Sequence, residues 1–294
     1  MEIRTMAGEI VEFGASDGVM LHGFLTRPKK TSNRAVIHLH GMGGNMHRVV
    51  GGYDKLLSDS LNRIGYNFFV IETRGSAIAS WIRRYGKGKR RVGGTAFEKF
   101  EESRYDIDGA ILALRSMGIK EIILEGHSTG CQKAIYYQFK ARNPMVKGII
   151  LIGPGGDYNL HKKRLGKRFA QAVRYARGKR RDKLALMPKR YYEGIVGASR
   201  FLSFSDTKFP EARIFDYESG RLREFSGIKT PVLAILGSRE EWMTMPAKSY
   251  MKILEGDNRS DFFGCIMIRG ANHTFKGKGK ELAGAITGWL KRLG

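Results

Sequence analysis

Short apolar runs alternate along the chain with segments whose apolar residues recur at helical spacing. The runs that predict strands are 9–13, 20–26, 35–40, 66–72, 121–125, 145–153, 232–236 and 262–269. The helical segments between and after them are 53–64, 96–117, 131–139 and 281–293. Because strands and helices alternate, the pattern predicts an α/β protein with a mostly parallel central sheet flanked by helices on both faces.

One long segment interrupts this alternation. Residues 157–226 are basic, rich in aromatic side chains and poor in strand periodicity. We therefore predict an α/β core formed by 1–156 and 227–294, with 157–226 inserted as a cap or lid. Within the segment, Leu165, Phe169, Val173 and Ala176 recur at helical spacing, which is typical of a surface helix packing on the core. The aromatic residues expected to line a pocket are Tyr175, Tyr191, Tyr192, Phe201, Phe204 and Phe209.

Length and composition indicate an ordinary globular protein. With 294 residues, 42% of them hydrophobic, the chain can bury a full core. No apolar run of about 18 residues predicts a transmembrane helix, and the start of the chain lacks the apolar core of a signal peptide. Cys131 and Cys265 lie in apolar segments without metal-ligand spacing, which favours buried free thiols. These features together predict a cytoplasmic protein.

The net charge of +24 is unevenly distributed. Residues 157–215 contain 16 Lys and Arg against 5 Asp and Glu, and 83–91 form a second basic cluster. Such a charge concerns partners and solubility, and it leaves the fold open. Anionic substrates, nucleic acid, an anionic membrane surface or adaptation to the host cytoplasm all remain open as its explanation.

The pentapeptide Gly-His-Ser-Thr-Gly at 126–130 is the strongest chemical signal. It joins a predicted strand to a predicted helix, so Ser128 must lie on a tight turn that small flanking residues allow to close. Such a turn exposes the serine hydroxyl beside a helix N-terminus and free backbone N–H groups. The alternative is a glycine-rich connection whose serine only caps the helix.

A serine nucleophile requires a base and an acid that orients the base. Glu240 and Glu241 follow the strand at 232–236, and His273 follows the strand at 262–269. Loops at the carboxyl ends of parallel strands meet at one edge of the sheet. We therefore predict Ser128 as nucleophile, His273 as general base and Glu240 as acid, with Glu241 as its rival.

The motif at 126–130, the sequence Gly-Ala-Asn-His-Thr-Phe at 270–275 and His-Gly-Met-Gly-Gly at 40–44 together resemble the α/β-hydrolase superfamily of serine esterases. The resemblance covers nearly all of the chain outside 157–226. It implies an oxyanion hole formed by the backbone N–H groups of Met42 and Thr129, each donor contributing about 3 kcal/mol. The loop at 40–44 is similar to that of feruloyl and cinnamoyl esterases. The stretches 126–132 and 200–203 are similar to siderophore esterases.

One departure from the family concerns the acid. The residue at this place is most often Asp, whereas this chain has Glu240, so Asp157 is kept as a further alternative.

The remaining histidines are expected to be structural: His127 packs under the turn, and His40 orders the oxyanion loop. A metal site at His38, His40 and His47 lacks supporting carboxylates or cysteines. The loop at 41–44 lacks the ending of a phosphate-binding loop. No cofactor and no metal are predicted.

The sequence thus predicts a serine hydrolase that cleaves carboxylic esters through an acyl-enzyme on Ser128. Its partner is a small-molecule ester, anionic or aromatic. A thioesterase, peptidase or acyltransferase using the same triad remains open. So does a protein that binds nucleic acid or anionic membranes through its basic cap. The sequence leaves the oligomeric state open.

Overall fold

The computed structural model describes residues 5–47, 54–86 and 90–294. The strands in these ranges are β1 Glu9–Gly14, β2 Val19–Thr26, β3 Arg34–Leu39, β4 Asn67–Ile71, β5 Ser80–Arg84, β6 Arg91–Gly93, β7 Glu121–His127, β8 Val146–Ile152, β9 Val232–Gly237 and β10 Phe263–Ile268. The helices are α1 Asp54–Arg63, α2 Ser103–Ser116, α3 Thr129–Ala141, α4 Asp157–Leu165, α5 Phe169–Lys179, α6 Ala198–Ser205, α7 Pro210–Ile214, α8 Arg223–Ser226, α9 Ala247–Asp257 and α10 Gly279–Leu293.

The strands form one sheet in the order β10-β9-β8-β7-β3-β4-β2-β5-β6, with β1 paired to β2. Pairing is parallel from β10 through β4 and antiparallel around β2, β5 and β6. The predicted mostly parallel α/β sheet is thereby confirmed. The carboxyl ends of β3, β7, β8, β9 and β10 consequently lie along one edge, which is where the predicted site residues follow their strands.

The two faces of the sheet are covered by different helices. Along β3, Ile37 and Leu39 join the cluster that includes α2, α3 and α9, whereas Val36 joins the cluster under α1 and α10. This split follows from the alternation of side chains along a strand. Trp289 of α10 is fully buried in the second cluster. The central strands therefore need apolar residues on both faces, which explains their continuous apolar runs.

The apolar pattern predicts a basic loop over 76–95, between the strand at 66–72 and the helix at 96–117; this prediction is wrong, because the stretch contains the edge strands β5 and β6. Only Ile82 is buried in β5, at 6% exposed, while its neighbour Trp81 is 67% exposed. A short edge strand with one buried residue carries no strong apolar run, so its pattern was not distinctive. Residues 87–89 of the basic cluster at 83–91, and Tyr53 of the first predicted helix, lie outside the described residues.

The second predicted helix begins later than expected. Residues 95 and 96 donate backbone hydrogen bonds to Ala77 and Ile78, and a single 3₁₀ turn at Phe100–Glu102 precedes α2. These bonds hold 94–97 against the 77–78 segment as a turn, which the Phe97 and Glu98 N–H groups close on the Gly94 carbonyl. The helical apolar spacing there is therefore overridden by tertiary contacts.

The segment 157–226 contains α4 to α8 and builds part of its own core. Val173, Phe201 and Phe204 belong to a separate apolar cluster, against which Leu165 and Phe169 pack. Further along, Ile214 and Phe225 join the main core instead. That residues 157–226 form a cap separate from the core stays a prediction.

The two cysteines differ in burial. Cys131 is buried, and its thiol contacts the Gly126 carbonyl oxygen at 3.1 Å. Cys265 is only partly buried, which corrects the expectation of two buried thiols, because it lies on the edge strand β10. No helix in the described ranges has the length and apolar content needed to cross a bilayer.

Candidate active site

Ser128 lies on a strained turn between β7 and α3. Its backbone has φ 55° and ψ −125°, a region that side-chain-bearing residues rarely adopt. A Cβ atom added at Gly126 would lie 2.3 Å from the Gly130 carbonyl oxygen, and one at Gly130 would lie 2.0 Å from that of Leu39. Both glycines are therefore required for the turn to close, as its motif indicated.

His273 and Glu240 meet at the same edge of the sheet. His273 Nδ1 and Glu240 Oε1 are 2.7 Å apart, a close polar contact that becomes an ion pair when the imidazole is protonated. His273 is 8% exposed. Glu241 contacts the same residue differently, since its carboxylate accepts the backbone N–H of His273 at 2.9 Å. The two adjacent carboxylates thus contact the imidazole and the loop backbone, respectively.

The histidine–glutamate pair packs against the end of β8. Gly153 has φ +60°, and a Cβ atom there would lie 3.1 Å from His273 Nδ1 and 3.4 Å from Glu240 Oε2. The absence of a side chain at this position leaves room for the pair. Sequence reasoning missed Gly153; the only signal was a glycine directly after a buried strand.

His127 supports the loop that carries His273. Its Nε2 lies 2.9 Å from the His273 carbonyl oxygen, and the two rings are 4.9 Å apart. It had been expected to pack under the turn around Ser128. The structure instead places its ring against the neighbouring histidine loop, which it helps to position.

The loop at 41–44 lies against Ser128. A Cβ atom at Gly41 would be 2.8 Å from Ser128 Cβ, so only glycine permits this approach. The Gly43 N–H is bound to Thr95 Oγ1 at 2.7 Å, and the Gly44 N–H to the Gly41 carbonyl at 3.0 Å. These two amides are therefore engaged within the protein, which favours Met42 as the donor from this loop.

Thr129 is the first residue of α3, so its backbone N–H has no acceptor within the helix. It directly follows Ser128 in the chain. Met42 and Thr129 thus come from two elements that approach each other at Ser128. Their assignment as the oxyanion hole remains a proposal.

The His40 imidazole is neutral, and in this form it holds the loop at 41–44 in place. Burial, reinforced by the Lys133 ammonium, lowers the pKa of His40 to about 3. Its Nδ1 lies 2.8 Å from the Gly41 carbonyl, so this nitrogen carries the proton. Its Nε2 then accepts from the Ser76 hydroxyl at 2.9 Å and the Thr73 N–H at 3.3 Å.

Thr95 is a second support of this loop. Besides accepting from Gly43, its hydroxyl donates to the Gly75 carbonyl at 2.8 Å. Its own carbonyl accepts from Arg200 of α6 at 3.2 Å. Thr95 therefore connects the oxyanion loop, the turn after β4 and the helical segment. Nothing in the sequence distinguished it from other loop threonines.

With Met42 assigned to the oxyanion hole as proposed, replacing Thr95 with valine should lower kcat for ester hydrolysis roughly tenfold, because one hydrogen bond to the loop at 41–44 is lost. KM should change much less, since that assignment has the loop act on the transition state. Thr95→Ser retains the hydroxyl and should restore most of kcat. Steady-state kinetics on one ester, with a thermal melt of each variant, measures this. A valine variant with wild-type kcat beside an impaired serine variant would show that Thr95 acts through packing alone.

The two other candidates from the sequence, a metal site around His38 and Asp157 as the acid, lie away from the contact between Glu240 and the His273 ring. His38 Nδ1 is 2.6 Å from Glu125 Oε2 in a buried pair, and no cluster of metal-ligating side chains occurs in 5–47, 54–86 or 90–294. Asp157 accepts a hydrogen bond from Gln132 at 2.9 Å. Burial and the nearby Glu211 raise the pKa of Asp157 to about 7. The ion-pair contact to the His273 ring comes from Glu240.

Ser128 and His273 open into a cavity of about 1940 Å³. Its walls are the core loops at one side and, at the other, α4 and the stretch 189–195. Of the six aromatic residues expected to line a pocket, Tyr191 and Tyr192 do so. Phe201 and Phe204 are buried inside the helical segment instead. Met42, Thr129 and Trp242 also line the cavity, so every predicted site residue except Glu240 faces it.

A family profile described as "Protein of unknown function (DUF1749)" matches residues 1–291. The chain belongs to this family. No curated protein is similar to it in sequence.

Solved structures share the fold along nearly the whole chain. Siderophore hydrolase EstB from Aspergillus fumigatus is 14% identical, with a TM-score of 0.71 and 98% of each chain covered. A soluble variant of monoglyceride lipase from Saccharomyces cerevisiae is 15% identical, with a TM-score of 0.68, covering 100% of this chain and 97% of the lipase. Est1E from Butyrivibrio proteoclasticus, bound to ferulic acid, is 15% identical, with a TM-score of 0.64, covering 96% and 98%. This member of the DUF1749 family therefore has the α/β-hydrolase fold predicted from its motifs.

Proposed function

We propose that the protein is a serine hydrolase that cleaves carboxylic esters through an acyl-enzyme on Ser128. The observation that carries this proposal is the convergence of three features on one cavity. Ser128 lies on a strained turn, His273 faces the same space, and Glu240 contacts the imidazole at 2.7 Å. Perturbed backbone geometry at a cavity-lining serine is typical of a functional nucleophile.

In the proposed reaction, His273 removes the Ser128 hydroxyl proton as Oγ attacks the ester carbonyl carbon. The Met42 and Thr129 amides donate hydrogen bonds to the resulting oxyanion. The protonated His273 then gives its proton to the departing alcohol oxygen, which leaves the acyl group on Ser128. Water, deprotonated by His273, attacks the acyl carbon. His273 then returns the proton to Ser128 Oγ as the bond between Oγ and the acyl carbon breaks, which releases the acid and free Ser128. Glu240 orients the imidazole and stabilises its charged form throughout.

The names of the structural neighbours motivate the choice of an ester within this proposal. They include a siderophore hydrolase, a monoglyceride lipase and an esterase holding ferulic acid. Because these structures are only 14–15% identical to this chain, they show the shared fold alone. The ester substrate is therefore part of the proposal. Thioesters, amides and acyl transfer to another alcohol require the same triad.

A panel with one acyl group tests the reaction class. Butanoate presented as an ester, a thioester and an anilide should be hydrolysed fastest as the ester, by roughly tenfold or more in kcat/KM over the anilide because the alcohol leaves more readily. Adding glycerol or methanol detects acyl transfer as a new ester product. A preference for the thioester or the anilide would replace the esterase assignment, with the triad retained.

A further inference from the structure

Six basic side chains surround the opening of the Ser128 cavity. They are exposed and come from three separate stretches: α4 and the 3₁₀ turn after it, the stretch at 189–190, and the segment that follows His273 into α10. The six are Arg164, Arg168, Lys189, Arg190, Lys276 and Lys280. The third stretch lies more than 80 residues from the other two in the chain, so the fold is what brings these positive charges together. We call these six side chains the basic rim.

The basic rim lacks carboxylate partners. Across the described ranges, none of its six members forms an ion pair. Other cations of the same helical segment do: Lys162 pairs with Glu218 at 3.0 Å and Arg177 with Asp206 at 2.7 Å. The rim charges are therefore available to a ligand.

The carboxylates that face the cavity only partly offset this charge. Glu281 is paired with Lys278 at 2.8 Å, outside the basic rim, and attracts Lys280 of the rim more weakly. Asp157 is hydrogen-bonded to Gln132, and its pKa is raised to about 7, so it is only partly ionised at neutral pH. Asp54 lies near the buried His38, whose pKa is raised to about 9 against its burial, chiefly by Glu125 and to a smaller extent by Asp54. Glu193 is the remaining carboxylate, against six cations.

The arginines of the rim are held in place. The Arg164 guanidinium stacks 4.6 Å from the Trp242 ring, and that ring lies 6.0 Å from the His273 ring. Arg168 donates to the Arg190 carbonyl at 3.2 Å, while Arg190 stacks 4.9 Å from Tyr191. A stacked guanidinium is pre-organised to bind a carboxylate or phosphate group through two parallel hydrogen bonds. Arg164 is thus fixed through one aromatic ring beside the proposed base.

We propose that the ester cleaved at Ser128 carries a negatively charged group, which the basic rim binds with Arg164 as its principal contact. This inference rests on the proposed ester hydrolysis and names its substrate class. The charged group is a carboxylate or phosphate on the acyl or the alcohol part. It belongs either to a free small molecule or to a lipid headgroup.

Matched substrates test the proposal. Mono(4-nitrophenyl) glutarate and 4-nitrophenyl pentanoate have acyl chains of the same length and differ in one terminal carboxylate. We expect kcat/KM to be roughly tenfold higher for the anionic ester, with the preference falling as salt screens the rim. A second pair, 4-carboxyphenyl and phenyl butanoate, places the carboxylate on the alcohol instead. Equal rates within both pairs, together with no preference for the phosphate-bearing lipid ester in the vesicle arm below, would overturn the proposal.

Charge-matched variants separate the rim from the overall charge. Arg164→Gln should reduce the anionic-to-neutral ratio of kcat/KM about fivefold, the size expected for one exposed charge contact. Arg181→Gln removes the same charge from an exposed position outside the cavity and should leave both rates unchanged. Equal losses of the ratio in both variants would mean that the long-range field acts, and not a site at Arg164.

Two further arms identify the source of the anion and separate this proposal from the hydrolase assignment. Phosphatidylcholine vesicles loaded with either monooleoylglycerol or its phosphate test the headgroup: an Arg164-dependent preference for the phosphate-bearing ester that occurs only there assigns the anion to lipid. Ser128→Ala titrated calorimetrically with mono(4-nitrophenyl) glutarate tests binding without turnover. Arg164-dependent binding together with an inactive wild type would contradict the hydrolase and retain the anion site. Turnover of both soluble and vesicle esters that does not depend on Arg164 would support the hydrolase and overturn the anion site.

Discussion

Replacing Ser128 with alanine is expected to lower kcat for 4-nitrophenyl butanoate by roughly 10⁴-fold or more, because the attacking oxygen is removed. What remains should come from binding and from the oxyanion donors. The backbone strain at φ 55° should persist, since alanine is no better suited to that conformation than serine. Initial rates, with a thermal melt to establish folding, measure the effect.

A matched control is available on α2. Ser116 is exposed, and its hydroxyl donates only to the Ala113 carbonyl at 2.7 Å, so Ser116→Ala should retain kcat within about twofold. An alkyl fluorophosphonate should add to wild-type protein once, as seen by intact mass, and should not add to Ser128→Ala. A folded Ser128→Ala protein with more than one tenth of wild-type kcat would contradict the nucleophile assignment.

Replacing Glu240 with glutamine is expected to lower kcat by about 10³- to 10⁴-fold, the loss typical when the acid of a triad becomes a neutral amide. The amide no longer stabilises the imidazolium that forms during attack. Its NH₂ group can also donate to Nδ1, which favours the wrong tautomer of His273. Because the Nδ1 to Oε1 separation is 2.7 Å, this electrostatic contact is a close one. The pH dependence of kcat on 4-nitrophenyl butanoate should be measured for each variant.

Glu241→Gln is the charge-matched control for this experiment. The Glu241 carboxylate accepts the His273 backbone N–H, and a glutamine oxygen can accept the same bond. We therefore expect a loss of no more than about tenfold, from slight displacement of the histidine loop. The reverse order, with Glu241→Gln the more damaging, would transfer the role of acid to Glu241.

The central sheet could be predicted because buried parallel strands need apolar residues on both faces. The strands at β3, β4, β7, β8 and β9 each carry such a run, and each was predicted within a few residues. The edge strands β5 and β6 were missed, since Ile82 alone is buried in β5. Helix α2 begins later than its apolar spacing indicated, because 95 and 96 bind to residues 77 and 78, which the sequence pattern does not reveal.

Sequence alone determined the candidate nucleophile and base, since the spacing of glycines around Ser128 and the position of His273 after a strand are local features. It left Glu240 and Glu241 as rivals, because adjacent side chains differ in direction only once the backbone of their loop is placed. Tertiary structure also decided the contacts of Thr95 and Gly153 and the convergence of the basic rim. These depend on stretches far apart in the chain that approach only when the sheet and the helical segment pack together.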